Sequence, residues 1–170
     1  MFIDIHVLAG HPLNFDEKIP PGLINYGPEV RQVADLVTRG NAEVIKQEIY
    51  LRGTLITVIE VSCARCLEPA RQQVSLSFEL CYQPMRKIAR SEDIEIRPSD
   101  LGIAFYEGQG LQLDDVLKEQ VLLTLPMRTL CRPACAGLCP RCGSNRNLKS
   151  CQCSPTPTDI RWEALAKLKK

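Results

Sequence analysis

The sequence predicts an α+β protein: an antiparallel β-meander packed by one main helix, then a C-terminal cysteine-rich knuckle or ribbon and a short terminal helix. Three observations support this fold class. Segments of alternating, β-branched residues dominate the first half of the chain. One amphipathic helical segment follows them. Six of the nine cysteines then lie within residues 131–153, among prolines, glycines and polar residues that cannot form an apolar core.

The N-terminal part is predicted to consist mainly of strands. Residues 2–8 alternate loosely and predict a first strand, whereas residues 10–28 contain four of the twelve prolines and predict a loop or an extended edge. From Val30 to Val37 helical and strand periodicities compete, and the Arg39-Gly40-Asn41 that follows favours a strand entering a turn. Glu43–Tyr50 alternates cleanly and predicts the next strand.

The middle of the chain contains the segment of highest β propensity. Arg52-Gly53 indicates a turn or bulge. Thr54–Ser62, which is β-branched and apolar, predicts a central strand. Gln72–Cys81 alternates again and predicts a further strand of the meander, with one face formed by Val74, Leu76, Phe78 and Leu80.

The strongest helical signal is Leu113–Leu125, which has acidic residues in its first turn and ends at Pro126. Its apolar stripe is Leu113, Val116, Leu117, Val121 and Leu125. Before the helix, residues 84–100 predict a charged surface excursion and Ile103–Tyr106 a short strand. We therefore expect three parts: a β-rich body with its packing helix (1–125), a cysteine-rich zinc-binding module (126–156) and a C-terminal helix (157–170), whose Trp162 packs on the body.

The cysteines are expected to bind metal rather than to form disulfides. No apolar stretch is long enough to span a membrane, and the start of the chain lacks a signal-peptide pattern. We therefore expect a cytoplasmic protein in a reducing environment, where cysteine-rich segments bind metal or carry redox chemistry. Nine cysteines suit eight metal ligands and one spare thiol, which we assign to Cys81.

Spacing divides the eight ligands into two sets of four. Two cysteines separated by two residues can direct both sulfurs at one metal ion while the backbone turns back, and Gly143, directly after Cys142, suits that turn. The stronger assignment is the later set, Cys139, Cys142, Cys151 and Cys153. The remaining set would tie the end of a strand to the exit of the helix: Cys63, Cys66, Cys131 and Cys135. We expect two zinc ions, both with a structural role.

Other cysteine chemistries are less well supported. Cys135, Cys139 and Cys142 have the spacing of radical S-adenosylmethionine enzymes, but too little chain follows them for the barrel that such enzymes need. A four-thiolate iron–sulfur cluster is chemically compatible with either set, because cysteine alone does not separate zinc from iron. A redox pair at Cys63 and Cys66 would need a helix N-terminus to lower its thiol pKa, and a strand end does not provide one.

No catalytic constellation is visible in the sequence. It has no glycine-rich phosphate loop, no metalloprotease histidine pair and no metal position left open for water, so we expect neither an enzyme nor a small-molecule substrate. The charge is unevenly divided: residues 1–125 carry 12 Lys+Arg against 18 Asp+Glu, and residues 126–170 carry 9 against 2. The basic part favours contact with RNA phosphates. The candidate contacts are Arg132, Arg141, Arg146 and Lys149.

Two other interpretations of this charge pattern stay open. The cations could serve solubility alone, and the acidic half could instead dock a basic partner, which would make the protein a protein-binding adaptor. No aromatic residues are interleaved with the cations, so sequence-specific reading of single-stranded RNA is not indicated.

The motifs V-S-C-A-R-C-L-E-P, C-R-P-A-C-A-G-L-C-P-R-C-G and D-I-R-W-E-A-L closely resemble the YceD family of large ribosomal RNA subunit accumulation proteins. The resemblance covers about residues 40 to 170. This chain has Ser144–Leu148 and Asp159-Ile160-Arg161 where the family usually has Asn-Leu-Asn and Asp-Pro-Arg. Membership implies a small, cytoplasmic, non-enzymatic factor in ribosome assembly. Its implied partners are large-subunit rRNA or a pre-ribosomal particle, or a ribosomal protein, and not a membrane.

Overall fold

The computed structural model describes residues 1–8, 11–85, 102–153 and 161. The expected charged excursion, apart from its first two residues, and the C-terminal helix with Trp162, apart from Arg161, lie outside these ranges. The described elements are β1 (Phe2–Asp4), β2 (Leu13–Ile19), β3 (Val30–Gln32), β4 (Leu36–Ile45), β5 (Glu48–Ser62), β6 (Pro69–Pro84), β7 (Ile103–Tyr106), β8 (Gly110–Gln112) and α1 (Leu113–Thr124).

The described residues are mostly sheet with one helix, in agreement with an α+β fold. Six strands form one sheet in the order β2-β4-β5-β6-β7, and β3 also pairs with β5; β1 and β8 form a separate two-stranded pair. The β2–β4, β3–β5 and β4–β5 pairs are antiparallel, as expected for a meander. The β6–β7 pair is parallel, which the sequence interpretation did not predict. The connection over residues 85–102 is long enough to return the chain in the same direction.

The turn between β4 and β5 lies at Lys46-Gln47, inside a segment predicted to be one strand. Both residues have positive φ, 50° and 69°, as a two-residue hairpin of type I′ requires. The turn predicted at Arg39-Gly40-Asn41 and the turn or bulge predicted at Arg52-Gly53 are therefore wrong, because both segments pair in unbroken register within the two strands. Gly40 and Gly53 are cross-strand partners in the middle of the pair, where their missing side chains leave room for two aromatic rings.

The choice of strand over helix for Val30–Val37 is confirmed, although two strands share the segment. β3 and β4 pair with successive stretches of β5, and Val33 N–H still donates to the Val58 carbonyl between them at 2.9 Å. Residues 10–28, predicted as a loop or extended edge, contain β2, which is an edge strand of the sheet.

The helix is confirmed almost to the residue, from Leu113 to Thr124. Four of its five stripe residues are buried in the main apolar core, which also contains Leu55 and Ile59 of β5, and Leu125 is partly buried against that core. This burial stabilises the amphipathic segment far more than its helix propensity would. Among the residues that the structure describes, no helix has the length and apolar character needed to cross a bilayer.

The chain divides into two compact units. The first consists of Met1–Val61 and Arg71–Met127 and contains the main apolar core. The second consists of Ser62–Ala70, the connection between β5 and β6, together with Arg128–Lys170. Eight of the nine cysteines belong to the second unit, and Cys81 lies in β6, half-buried.

Candidate metal centres

The first cluster of thiols is formed by cysteines that are far apart in the sequence. Its four sulfur atoms lie within 4.8 Å of one another: Cys63, Cys66, Cys131 and Cys135. The Sγ atoms of Cys63 and Cys135 are 3.8 Å apart, and those of Cys66 and Cys131 are 3.6 Å apart. All of these thiols except Cys131 are buried, in a small apolar cluster completed by Ala70, Leu130 and Leu138.

The second cluster is formed by cysteines close together in the sequence. Its sulfur atoms also lie within 4.8 Å of one another: Cys139, Cys142, Cys151 and Cys153. It is more open, because only Cys139 is buried and Cys142 and Cys153 are exposed. The structure thus brings the eight predicted ligands together in the two sets expected from their spacing.

The geometry of both clusters is compatible with one metal ion in each. A tetrahedral ion with metal–sulfur bonds of about 2.3 Å places its ligand sulfurs about 3.8 Å apart, close to the two distances in the first cluster. Four soft thiolate donors complete such a coordination shell without a water molecule. A coordination shell closed by four protein ligands is typical of structural metal sites.

The knuckle that carries Cys63 and Cys66 is closed by two backbone hydrogen bonds. Leu67 N–H donates to the Cys63 carbonyl at 3.0 Å, and Cys63 N–H donates to the Glu68 carbonyl at 2.9 Å. Leu67 must adopt a left-handed conformation for this, with φ of 63°, which is unfavourable for a branched side chain. Its side chain is 66% exposed, so burial does not offset this strain.

The knuckle that carries Cys139 and Cys142 has the same two bonds. Gly143 N–H donates to the Cys139 carbonyl at 2.9 Å, Cys139 N–H donates to the Ser144 carbonyl at 2.9 Å, and the φ of Gly143 is 69°. The two knuckles are therefore the same structure built twice, once with leucine and once with glycine at the left-handed position. Sequence reasoning identified Gly143 but missed Leu67. The shared pattern Cys-x-Arg-Cys was the signal that could have revealed it.

The Arg65 side chain and several backbone groups form hydrogen bonds around the first cluster. The Arg65 guanidinium donates to the Cys135 carbonyl at 2.7 Å. In return, Leu138 N–H donates to the Arg65 carbonyl at 3.0 Å, and Ala64 N–H donates to the Thr129 carbonyl at 2.8 Å. These bonds fix the orientation of ligands that come from two distant segments, as outer hydrogen bonds commonly do around metal sites.

Asn147, which sequence reasoning missed, contacts a thiol directly. Its Nδ2 donates to Cys135 Sγ at 3.3 Å. Its Oδ1 accepts hydrogen bonds from the Arg132 guanidinium at 2.7 Å and from Ala136 N–H at 2.8 Å. Nothing in the spacing of the cysteines indicates this role, because Asn147 lies in the loop of the other cluster.

The thiols of each cluster differ in acidity because their hydrogen-bond partners and their burial differ. The Ser144 hydroxyl, 3.1 Å from the Cys142 sulfur, and then the Ser144 backbone N–H lower the pKa of Cys142 to about 6. Its hydrogen bond with Cys142, and then burial, raise the pKa of Cys153 to about 12. Burial is the largest single effect on Cys135 and raises its pKa. Hydrogen bonds, of which the one from Asn147 is the largest, together outweigh burial, so the pKa of Cys135 is lowered overall. A metal ion that binds here must displace protons from the less acidic thiols.

The candidate nucleic-acid contacts all belong to the second unit. Arg141, Arg146 and Lys149 are exposed on the two loops of the second cluster. Arg132 is also exposed, but its guanidinium is hydrogen-bonded to Asn147. Arg132 thus also contributes to the network around the first cluster.

The fold and these sites define the class of the chain: an α+β protein with two four-thiol clusters that could each hold a metal ion. The model of the family described as "Large ribosomal RNA subunit accumulation protein YceD" matches residues 51–169. The chain belongs to this family, as the resemblance of its motifs indicated.

Relatives with similar sequences come from plants and bacteria. A maize protein named "Large ribosomal RNA subunit accumulation protein YCED homolog 1, chloroplastic" is 30% identical over 130 residues, 63% of this chain and 44% of the maize protein. An uncharacterized protein of Mycobacterium tuberculosis is 32% identical over 104 residues, 59% of this chain and 46% of that protein.

The uncharacterized protein YlbN of Bacillus subtilis is 23% identical over 168 residues, which cover 98% of this chain and 93% of YlbN. The chain therefore spans less than half the length of the maize and mycobacterial relatives and nearly the whole of YlbN. No solved structure matches this chain.

Proposed function

We propose that this chain is a non-enzymatic, zinc-binding factor in large-subunit ribosome biogenesis, which acts in the cytoplasm by binding large-subunit rRNA or a pre-ribosomal particle. The observation that carries the proposal is the pair of four-thiol clusters in one compact, basic unit. The family is named for the accumulation of large ribosomal subunit RNA, which supports the same process for this chain.

Sulfur distances favour a single ion in each cluster over an iron–sulfur cluster. All four sulfurs of each set lie within 4.8 Å of one another. A four-iron cluster has its own iron and sulfide atoms between the thiolates and would hold the cysteine sulfurs farther apart. Zinc is the usual single ion in such tetrahedral four-cysteine structural sites, and it contributes directly to the folding free energy of the segment that binds it.

The charge of the two units supports contact with RNA through the second unit. The first unit contains 11 Lys+Arg and 17 Asp+Glu, and the second contains 10 Lys+Arg and 3 Asp+Glu. A zinc ion bound by four thiolates has a net charge of about −2, so two such sites reduce the second unit from about +7 to about +3. Enough positive charge remains to attract phosphates, and Arg141, Arg146 and Lys149 present it to solvent.

A salt titration tests this proposal. Four phosphate contacts to single-stranded RNA predict a slope of about −3 in log affinity against log salt concentration, at about −0.7 per contact. In the Arg141→Glu/Arg146→Glu variant we expect a slope of about −1.5 or flatter and weaker binding at low salt. The matched control is Lys46→Glu/Lys118→Glu, which makes the same change of charge in the first unit and should leave the slope unchanged. Binding is measured with large-subunit rRNA fragments, after both variants have been shown to retain their metal.

The acidic first unit supports a second candidate function, docking of a basic protein. In that case the Arg141→Glu/Arg146→Glu variant keeps its partner, and reversal of the exposed Glu29 and Glu43 to lysine loses it. If the wild-type chain binds no rRNA at low salt but still recovers a basic ribosomal protein from cells, the adaptor function replaces direct RNA contact.

A further inference from the structure

The loop over residues 143–150 belongs to the second cluster by sequence but contacts the first. It connects Cys142 to Cys151, two of the thiols of the second cluster. Its residue Asn147 nevertheless reaches the first cluster, where Nδ2 lies 3.3 Å from Cys135 Sγ. One segment therefore contacts both candidate metal sites.

The amide of Asn147 is held in one orientation by its hydrogen bonds. Oδ1 accepts from the Arg132 guanidinium at 2.7 Å and from Ala136 N–H at 2.8 Å. Nδ2 donates to the Asn145 side-chain oxygen at 2.8 Å as well as to the thiol of Cys135. An asparagine side chain offers two donors and two acceptor positions, so all of them are in use. The donor side of the amide is thus directed at the sulfur.

Further contacts of the same loop reach both halves of the first cluster. Arg146 N–H donates to the Gly137 carbonyl at 2.9 Å, two residues beyond Cys135. Asn145 donates through its side chain to the Glu68 carboxylate at 3.3 Å, two residues beyond Cys66. Ordering of the loop therefore positions both segments that supply the thiols of the first cluster.

We propose that Asn147 is a positioning residue that couples the two metal sites. Metal binding by the second cluster closes the loop, and the closed loop presents the Asn147 amide to Cys135, which raises the affinity of the first cluster for metal. By thermodynamic linkage, metal in the first cluster raises the affinity of the second by the same factor. The inference rests on the proposed function only in requiring that both clusters bind metal.

The test compares Asn147→Asp with the wild type in the full-length chain. Aspartate has the same shape and keeps both acceptor positions for Arg132 and Ala136. It cannot donate to the thiolate or to the Asn145 side-chain oxygen, and it places a negative charge beside both. We expect the metal affinity of the first cluster to fall 10- to 100-fold, the range known for outer-shell partners of metal ligands. Leu148→Ala, at a 78% exposed neighbour in the same loop, is the control and should leave the affinity unchanged.

Cadmium-113 gives one NMR signal for each bound ion, so each site can be followed separately. Competition with a chelator then gives the cadmium affinity of each site. Replacing Cys151 and Cys153 with serine removes the second site and should lower the cadmium affinity of the first. The same replacement in an Asn147→Ala background should have a much smaller additional effect, because the coupling residue is already absent.

An Asn147→Asp chain that binds two cadmium ions with wild-type affinity overturns the proposal, whatever the serine variant does. In that case the metal-binding function stands and only the coupling is wrong. A wild-type chain that binds neither cadmium nor zinc overturns the proposed metal sites themselves, and with them the coupling.

Discussion

Gly40 and Gly53 are direct partners in the β4–β5 pair, and the Cζ atom of a buried phenylalanine lies close to each of them. A Cβ atom added at Gly40 would lie 2.6 Å from Phe15 Cζ, and one added at Gly53 would lie 2.9 Å from Phe78 Cζ. Both distances are far shorter than a normal carbon–carbon contact of about 3.5–4 Å. The paired glycines thus admit two aromatic rings to the core.

An added Cβ would also lie 2.2 Å from the Arg52 carbonyl oxygen at Gly40 and 2.7 Å from the Arg39 carbonyl oxygen at Gly53, and backbone atoms cannot rotate aside. We therefore expect Gly40→Ala and Gly53→Ala each to lower the free energy of unfolding by about 1–3 kcal/mol or more through overpacking. The two effects should not be additive, because the positions are in contact. Gly102→Ala is the matched control, since an added Cβ meets nothing there within 4 Å. Urea unfolding followed by circular dichroism measures the change, and an unaltered midpoint for Gly40→Ala would contradict the packing argument.

The chain should contain two zinc ions per molecule. Elemental analysis of anaerobically purified protein is the measurement. At saturating zinc we expect Cys63→Ser and Cys151→Ser to lose about one ion each, because each removes one ligand of a four-ligand site. Cys81→Ser should keep both ions, since its half-buried thiol belongs to neither cluster. Stoichiometric iron and a coloured protein would argue against zinc.

The two knuckles should respond in opposite ways to substitution at their left-handed position. Leu67→Gly removes strain of about 1–2 kcal/mol at an exposed site but adds the flexibility of glycine to the unfolded chain, so we expect a net stabilisation of about 0.5–1 kcal/mol. Gly143→Ala should cost about 1–2 kcal/mol. Chemical unfolding of the metal-loaded protein gives both values. The control is Leu148→Gly. Leu148 does not have a positive φ, so glycine relieves no strain there and should be destabilising.

Glu60 should make the stability of the first unit depend on pH in acid. Its carboxylate forms one ion pair with Arg31 of β3 and another with Arg71 of β6, the latter at 3.3 Å. The hydrogen bond from Arg31 is the largest cause, the one from Arg71 is the next, and the pKa of Glu60 is lowered from 4.5. Because the folded pKa is depressed, this stabilisation is present above about pH 4.5 and is lost as the pH falls through the folded value.

Glu60→Gln should therefore be less stable than the wild type at pH 7, and the difference should shrink as the pH falls from 5 to 3. Urea unfolding at several pH values gives this profile. Glu43→Gln, at an exposed carboxylate of β4, is the control. If the two variants have the same profile, the ion pairs with Glu60 do not stabilise the sheet.

Features that depend on local pattern were predictable from the sequence. Alternation indicated the long strands, the apolar stripe gave α1, and spacing alone divided eight cysteines into the two observed sets. The β4–β5 turn was missed because Lys46-Gln47 lacks the usual asparagine or glycine, while two glycines nearby serve packing instead.

Features that depend on contacts between distant segments were not predictable. Asn147 contacts Cys135 only because the loop of one cluster folds against the other. The parallel β6–β7 pair likewise follows from the direction in which the chain returns, and no local signal in Ile103–Tyr106 specifies that direction. The strain at Leu67 depends on the backbone of the knuckle, which only the comparison of the two Cys-x-Arg-Cys motifs could have suggested.

The two halves of the first cluster are synthesised at different times during translation, because their ligands are widely separated in the chain. Cys66 and Cys131 are 65 positions apart, so at 5–20 residues per second the ribosome needs about 3–13 s to synthesise the second half of the site. The thiols of the second cluster span residues 139–153, about 1–3 s of synthesis at the same rates. For several seconds, then, the nascent chain carries Cys63 and Cys66 without the other two thiols of their cluster. If the first cluster binds metal, its four-thiol site is complete only after Cys131 and Cys135 have been synthesised.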